Sequence, residues 1–178
     1  MSLIAADLDA ASTVELVDAV TAIAAKLASR AAPDSPSTCL ELAETVAADV
    51  DLLEAALAGF VGVVDGAREV QRWGFPSTRS WLRSRMGMRE SRAKERLTLA
   101  RQRHRLTEVT GRWTAGELST GYAATIAEAT TRLDDDDRPA AEDILLSMVD
   151  KGFSAGKVAS FGKRIRDVIA ERDGREQE

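Results

Sequence analysis

From Leu16 to Val168 the apolar residues of this chain recur at intervals of three and four, and no stretch alternates them for long with polar ones. That spacing turns one face of an α-helix toward a core, whereas a half-buried strand needs a period of two. An all-α fold is therefore expected. Composition agrees: 44% of the residues are apolar but only 4% are aromatic, and alanine supplies much of the apolar share, which suits helices packed closely through small side chains. A chain of 178 residues can bury one ordinary core or two small ones.

Glycine, proline and capping residues divide the periodic stretches. Ser12 and Glu15 have capping-box spacing and open a helix carrying Leu16, Val20, Ile23 and Leu27. The run from Ala31 to Pro36 breaks it. Thr38 and Glu41 repeat the capping signal, and Leu42, Val46, Val50, Leu53, Leu57, Phe60 and Val64 fall on one stripe of a long second helix. These two are expected to form an antiparallel hairpin over 12–73, after a flexible 1–11 and before a multi-helix domain over 74–172 and a polar tail over 173–178. Gly59, Gly62 and Gly66 each cost the long helix about 0.5–1 kcal/mol relative to alanine. Either another helix approaches closely there, from this chain or a second protomer, or the helix end frays. Later helices are expected to carry Val109 and Trp113, then Tyr122, Ala123, Ile126, Ala129 and Leu133, then Ala141, Ile144, Leu145, Met148 and Val149 on their apolar faces, and last to turn Val158, Phe161, Ile165 and Val168 inward.

Charge is distributed unevenly. Residues 79–105 hold ten Arg or Lys against two acids, Glu90 and Glu95, while the rest of the chain holds 14 basic against 27 acidic side chains. A basic segment in an acidic body with pI near 5.1 gives an oriented field that steers one face toward a polyanion. The segment reads as a short helix capped by Ser77 or Thr78, a stop at Gly87, and a second helix from about Arg89 to Leu106. Ala93, Leu97 and Ala100 face the core on that second helix. Arg92, Arg96 and Arg103 lie on one flank, and Lys94, Arg101 and Arg105 on the other. DNA is the expected partner. Arg92 and Arg96, early in the helix, are the candidates for base or phosphate contact. Arg79, Arg83, Arg101, Arg103 and Arg105 are candidates for phosphate positioning.

Two resemblances sharpen this expectation. GFPSTRSWLRSRMGMRESRA, ERLTLARQ and TAGELSTGYAATIAEAT, within the span from about Leu42 to Arg166, resemble an actinobacterial domain of unknown function that usually precedes an HNH endonuclease domain. That resemblance implies a helical module accompanying DNA cleavage. More locally, TRSWLRSRMGMRESRAKERLTLARQ, GELSTGYAATI and KGFSAGKVASFGKRI are similar, in order and spacing, to the helix-turn-helix region of ParB-type partition proteins. In those proteins the helix after the glycine turn enters the major groove, so the resemblance implies groove contacts from Ser91, Arg92, Glu95 and Arg96. Arg83 departs from the pattern, which favours a small residue there for tight helix packing.

Catalysis is not expected. An HNH site needs several histidines or an asparagine and histidine set around its metal, and this chain has one histidine, His104. No P-loop, dinucleotide-binding glycine motif or nucleophile elbow occurs, and no cofactor is implied. Asp134 to Asp137 lack the glycine turn and spaced glutamate of a calcium loop, so they are expected to favour the start of a following helix at Arg138 and Pro139. Cys39 is the only cysteine, so no intrachain disulfide can form. The opening residues lack a basic signal-peptide region and no window approaches a membrane span, so a soluble, cytoplasmic protein without membrane contact is expected. The competing expectation is a helical interaction module: a homodimer formed through 38–72, or a regulatory partner of a separate nuclease. In that case the arginines pair within the protein, with Asp134 to Asp137 folded across the basic helix.

Overall fold

A computed structural model describes residues 8–176, and these are helical with turns between; no strand occurs among them. Residues 1–7 of the expected flexible N-terminus and 177–178 of the expected tail lie outside the described residues. The chain divides into two compact units, Met1–Glu44 and Thr45–Glu178, with the division inside the long second helix.

The first unit contains α1 (Thr13–Ala28) and the opening turns of α2 (Pro36–Gly66). The capping box forms at α1 as its spacing predicts: Ser12 Oγ accepts from the Glu15 amide at 3.3 Å, and Glu15 Oε2 accepts from the Ser12 amide at 2.7 Å. The expected apolar seam is not buried, however. No residue of α1 is buried, and Ile23 and Leu27 are more than half exposed. At α2 the cap is displaced from the expected Thr38. Ser35 Oγ accepts from the Thr38 amide at 3.3 Å, and Pro36, which has no amide hydrogen to satisfy, fills the first turn.

The second unit is built from the rest of α2 and from α3 (Glu69–Arg72), α4 (Thr78–Met86), α5 (Glu90–Gln102), α6 (Thr107–Thr114), α7 (Thr120–Thr130), α8 (Arg138–Asp150) and α9 (Ala155–Glu176). Its larger core gathers Ala58, Leu99, Leu106, Trp113, Ile126, Leu145 and Val158. A smaller one joins Val61 of α2 and Leu82 of α4 to Ala93, Leu97 and Ala100 of α5, with Trp81 half-buried beside it. Alanine is what permits this closeness. A Cβ added at Gly162 of α9 would stand 2.5 Å from the Ala129 Cβ of α7, so the two helices meet with no room for a methyl group. The expected inward stripe of α9 is half right: Val158 is buried, but Phe161 and Val168 are 41% and 60% exposed. Ile165 is partly covered as expected, and the buried Gly162 and the partly covered Arg166 fill the rest of the inner face; on α8 the expected Ile144 is 45% exposed.

Gly59 and Gly62 are explained by close approach within the same chain. A Cβ at Gly62 would come 3.3 Å from the Ala100 carbonyl oxygen, and one at Gly59 would come 2.3 Å from the Arg103 guanidinium. Gly66 has open space around it.

Two helices in this unit borrow their N-terminal caps from distant acids. Asp51 Oδ1 of α2 accepts from the Thr120 amide at 2.9 Å, where Ser119, at the cap position of α7, makes no side-chain bond. Glu142 Oε1 of α8 accepts from the Val109 amide at 2.7 Å in α6, whose own cap residue is Leu106. Free first-turn amides and the positive end of the helix dipole both favour a carboxylate at such a position.

Candidate nucleic-acid interface

The basic segment folds as α4, a glycine corner and α5. Ser77 Oγ caps α4 by accepting from the Ser80 amide at 3.1 Å, and Gly87 ends the helix at φ 63°, a left-handed conformation that glycine adopts without steric penalty. Arg89 then stands at the cap position of α5 with extended backbone.

Around this corner four arginines project outward. Arg79 and Arg83 share one carboxylate, Glu90, at 3.1 and 3.2 Å, and all three side chains are about half exposed. Arg85 and Arg89 are exposed and make no ion pair among the described residues. Ser91 is exposed in the first turn of α5 and borders a groove of about 380 Å³ with Lys94, Glu95, Thr98, Glu128 and Arg166. Arg92 is 58% exposed, with Nη2 3.0 Å from Glu54.

Arg96 behaves differently from the reading that gives it a groove contact. It is 6% exposed, with Nη2 and Nε each 2.5 Å from oxygens of Glu54, itself 7% exposed, and Nη1 2.6 Å from Glu95. The residue lies on the buried side of α5, so its guanidinium holds α5 to α2 and offers no face to a duplex.

The remaining cations of the segment are also tied into the fold. Arg101 grips Asp65 of α2 with two hydrogen bonds of 2.8 and 3.2 Å. That guanidinium, helped by the Thr78 hydroxyl, holds the Asp65 carboxyl below its ordinary range. Arg103 is half-buried and donates to the Ala55 carbonyl at 3.4 Å, lying over Gly59. Lys94 pairs with Glu128 of α7 at 2.8 Å. Arg105 reaches Asp135 at 2.5 Å; Asp135 also takes Arg138, and Asp137 takes Arg172, so both carboxyls are held low by guanidinium partners. Part of the acidic run thus does fold toward the basic helix, as the competing expectation has it, but only at the Arg105 end. His104 is exposed just beyond α5. Among the described residues no three His, Cys, Asp or Glu side chains gather as metal ligands.

The sequence reading misses Glu54, Asp65 and Glu128 as partners of the basic helix. A signal for two of them was present. Glu54, Ala58, Val61 and Asp65 follow at four, three and four residues on one face of α2, and acids on an apolar face call for buried cations.

Residues 37–178 match the family model of a domain of unknown function, DUF222. No curated protein and no solved structure matches the chain.

Proposed function

The chain belongs to the DUF222 family, and on that footing we propose that it is a nucleic-acid-binding helical module which meets the phosphate backbone at the α4–Gly87–α5 corner. The observation that carries this reading is four exposed arginines, Arg79, Arg83, Arg85 and Arg89, around a turn where, among the described residues, only Glu90 pairs with any of them. Elsewhere on the segment every cation but Arg103 pairs with a carboxylate among the described residues, and Arg103 is half-buried against the Ala55 carbonyl, so the corner is where net positive charge faces solvent. Duplex phosphates displace Glu90 as the partner of Arg79 and Arg83 and engage Arg85 and Arg89 directly. Their negative charge is also favoured by the amino end of α5. Ser91 and Arg92, in the first turn of α5, are the side chains set to reach base edges, in the manner of a recognition helix. The module would target a duplex for a cleaving partner such as an HNH nuclease domain, as the resemblance of its motifs implies.

Fluorescence anisotropy with a labelled duplex at several salt concentrations tests this. Four neutralised phosphates give a slope of log K against log salt of about −3 to −4. The pair Arg85→Ala/Arg89→Ala should flatten the slope by about two units and leave the melting temperature unchanged. Absence of binding at low salt by the folded protein would overturn the proposal.

A second reading is favoured by a separate observation: Leu40, Leu42, Val46, Val50, Leu53 and Phe60 of α2 are each between 39% and 59% exposed. Self-association of α2 with a second copy would cover them. Sedimentation equilibrium decides it, because a monomer at all concentrations removes that reading.

A further inference from the structure

We propose that the cleft bordered by Trp73, Phe75, Trp81 and Arg85 receives an unpaired nucleobase, with Arg85 holding the adjoining phosphate. The inference deepens the nucleic-acid reading and rests on it for the ligand class. Its starting point is Trp73, which is 77% exposed although indoles are among the side chains most strongly driven from water. The fold holds this ring in place without covering it. The Trp73 amide donates to the Val70 carbonyl at 3.1 Å, the Gly74 amide to Gln71 at 3.1 Å and the Phe75 amide to Val70 at 3.0 Å, with Gly74 at φ 84° closing the turn. The indole Nε1 donates to Glu69 Oε1 at 3.2 Å, which fixes the plane of the ring. A preorganised aromatic face loses little entropy when something stacks on it.

The rest of the cleft complements a nucleotide. Its volume is about 420 Å³, and Val64, Val70, Phe75 and Trp81 supply apolar walls. Arg85 follows Trp81 by one helical turn, on the same face of α4, and makes no ion pair among the described residues. Glu69 is the one acid among the described residues of the lining; Arg72 pairs with its Oε2 at 3.1 Å and the indole holds Oε1, so an exocyclic base amine would share one of these oxygens. A planar ring bearing an anionic substituent fits this combination of aromatic faces, one cation and one acceptor. Base stacking on aromatic side chains beside a backbone-tracking cation is how unpaired strands are held. Arg79 of the corner and Arg85 of the cleft lie on the same helix, about 9 Å apart along its axis. A strand leaving a duplex at the corner has to cross about a third of a turn of α4 to reach Trp73.

The test compares a blunt labelled duplex with the same duplex carrying a short thymidine overhang, by anisotropy and by tryptophan emission. The overhang should tighten binding on the order of ten-fold and quench emission. Trp73→Ala should abolish that gain with blunt-duplex affinity unchanged, and Trp73→Phe should keep most of it. Trp113 is 1% exposed and lies apart from the cleft, so the response belongs to Trp73 and Trp81 together and should vanish in Trp73→Ala, where the overhang base no longer seats. If the blunt duplex binds and the overhang adds nothing, the cleft inference is wrong and the duplex reading stands. If only the overhang strand binds, with Trp73-dependent quenching, the cleft stands and the duplex reading fails. Emission from Trp73 that follows protein concentration and ignores oligonucleotide would identify a protein-binding surface and overturn the inference.

Discussion

Deleting the Glu54 carboxylate strands a buried guanidinium, because among the described residues the exposed Glu95 is then the only carboxylate left to Arg96. Breaking one side of a buried pair costs about 3–5 kcal/mol. Glu54→Ala and Arg96→Ala are accordingly expected to lower the urea midpoint sharply, whereas Arg92→Ala, removing an exposed partner of the same carboxylate, should cost less than about 1 kcal/mol. A loss of duplex binding by Arg96→Ala with stability intact would contradict this structural assignment. Titration adds a second prediction. Burial raises the Glu142 carboxyl above its ordinary 4.5, although the Val109 and Glu108 amides draw it back in part. A raised acid favours its protonated folded form, so stability falls as pH climbs from the ordinary value through the raised one. Asp65 is lowered by Arg101, so its contribution is present above the ordinary aspartate value and disappears as pH drops through the folded one. Melting curves against pH should show Glu142→Gln gaining on wild type as pH rises, the gap then holding constant. Asp65→Asn should lose most near neutrality and least in acid. Burial of Arg96 was not legible from α5 alone. Its angular position between Arg92 and Leu97 fits either a flank or the core, and Glu54 settles the matter from 42 residues away.

At the scale of the helix, the capping box of α1, the Gly87 stop and the inward Ala93, Leu97 and Ala100 could all be read from short-range spacing. Local rules carry such features, and the structure agrees with them. Caps supplied in trans, Asp51 to Thr120 and Glu142 to Val109, could not be read this way, because nothing within a helical turn announces them. Glycine-to-alanine substitutions separate the roles of the helical glycines. Gly162→Ala drives a methyl into the Ala129 Cβ, and overpacking of this kind costs about 1–3 kcal/mol. Gly59→Ala meets only the guanidinium end of Arg103, whose displacement costs its hydrogen bond to the Ala55 carbonyl, about 1 kcal/mol. Gly66→Ala has open space and should gain up to about 1 kcal/mol from helix propensity. Thermal melts of the three variants check that order, and a stabilised Gly162→Ala would refute the tight α7–α9 crossing.

Taken over the whole molecule, the +8 of residues 79–105 is a property of the sequence segment that the fold largely erases. Residues 45–178 carry 22 basic and 22 acidic side chains, and most of the basic helix is matched by acids from α2, α7 and the loop before α8. What survives is a local patch at the corner, so steering toward a polyanion acts over roughly one Debye length, about 8 Å in physiological salt, and not through net charge. A segment tally of charge overstates a binding face whenever its partners lie far along the chain. Because α2 supplies Glu54, Asp65 and the cap at Asp51, a fragment beginning after Gly66 should fail to show cooperative unfolding by circular dichroism, while 45–178 should retain it.

That dependence on α2 also has a direction in time. During synthesis Asp51 leaves the ribosome 69 residues before the Thr120 amide it caps, and Glu54 emerges 42 residues before Arg96. At about 5–20 residues per second, α2 therefore waits several seconds in the nascent chain with its apolar face and its acids unmatched, the interval in which a chaperone or a second nascent copy would find it.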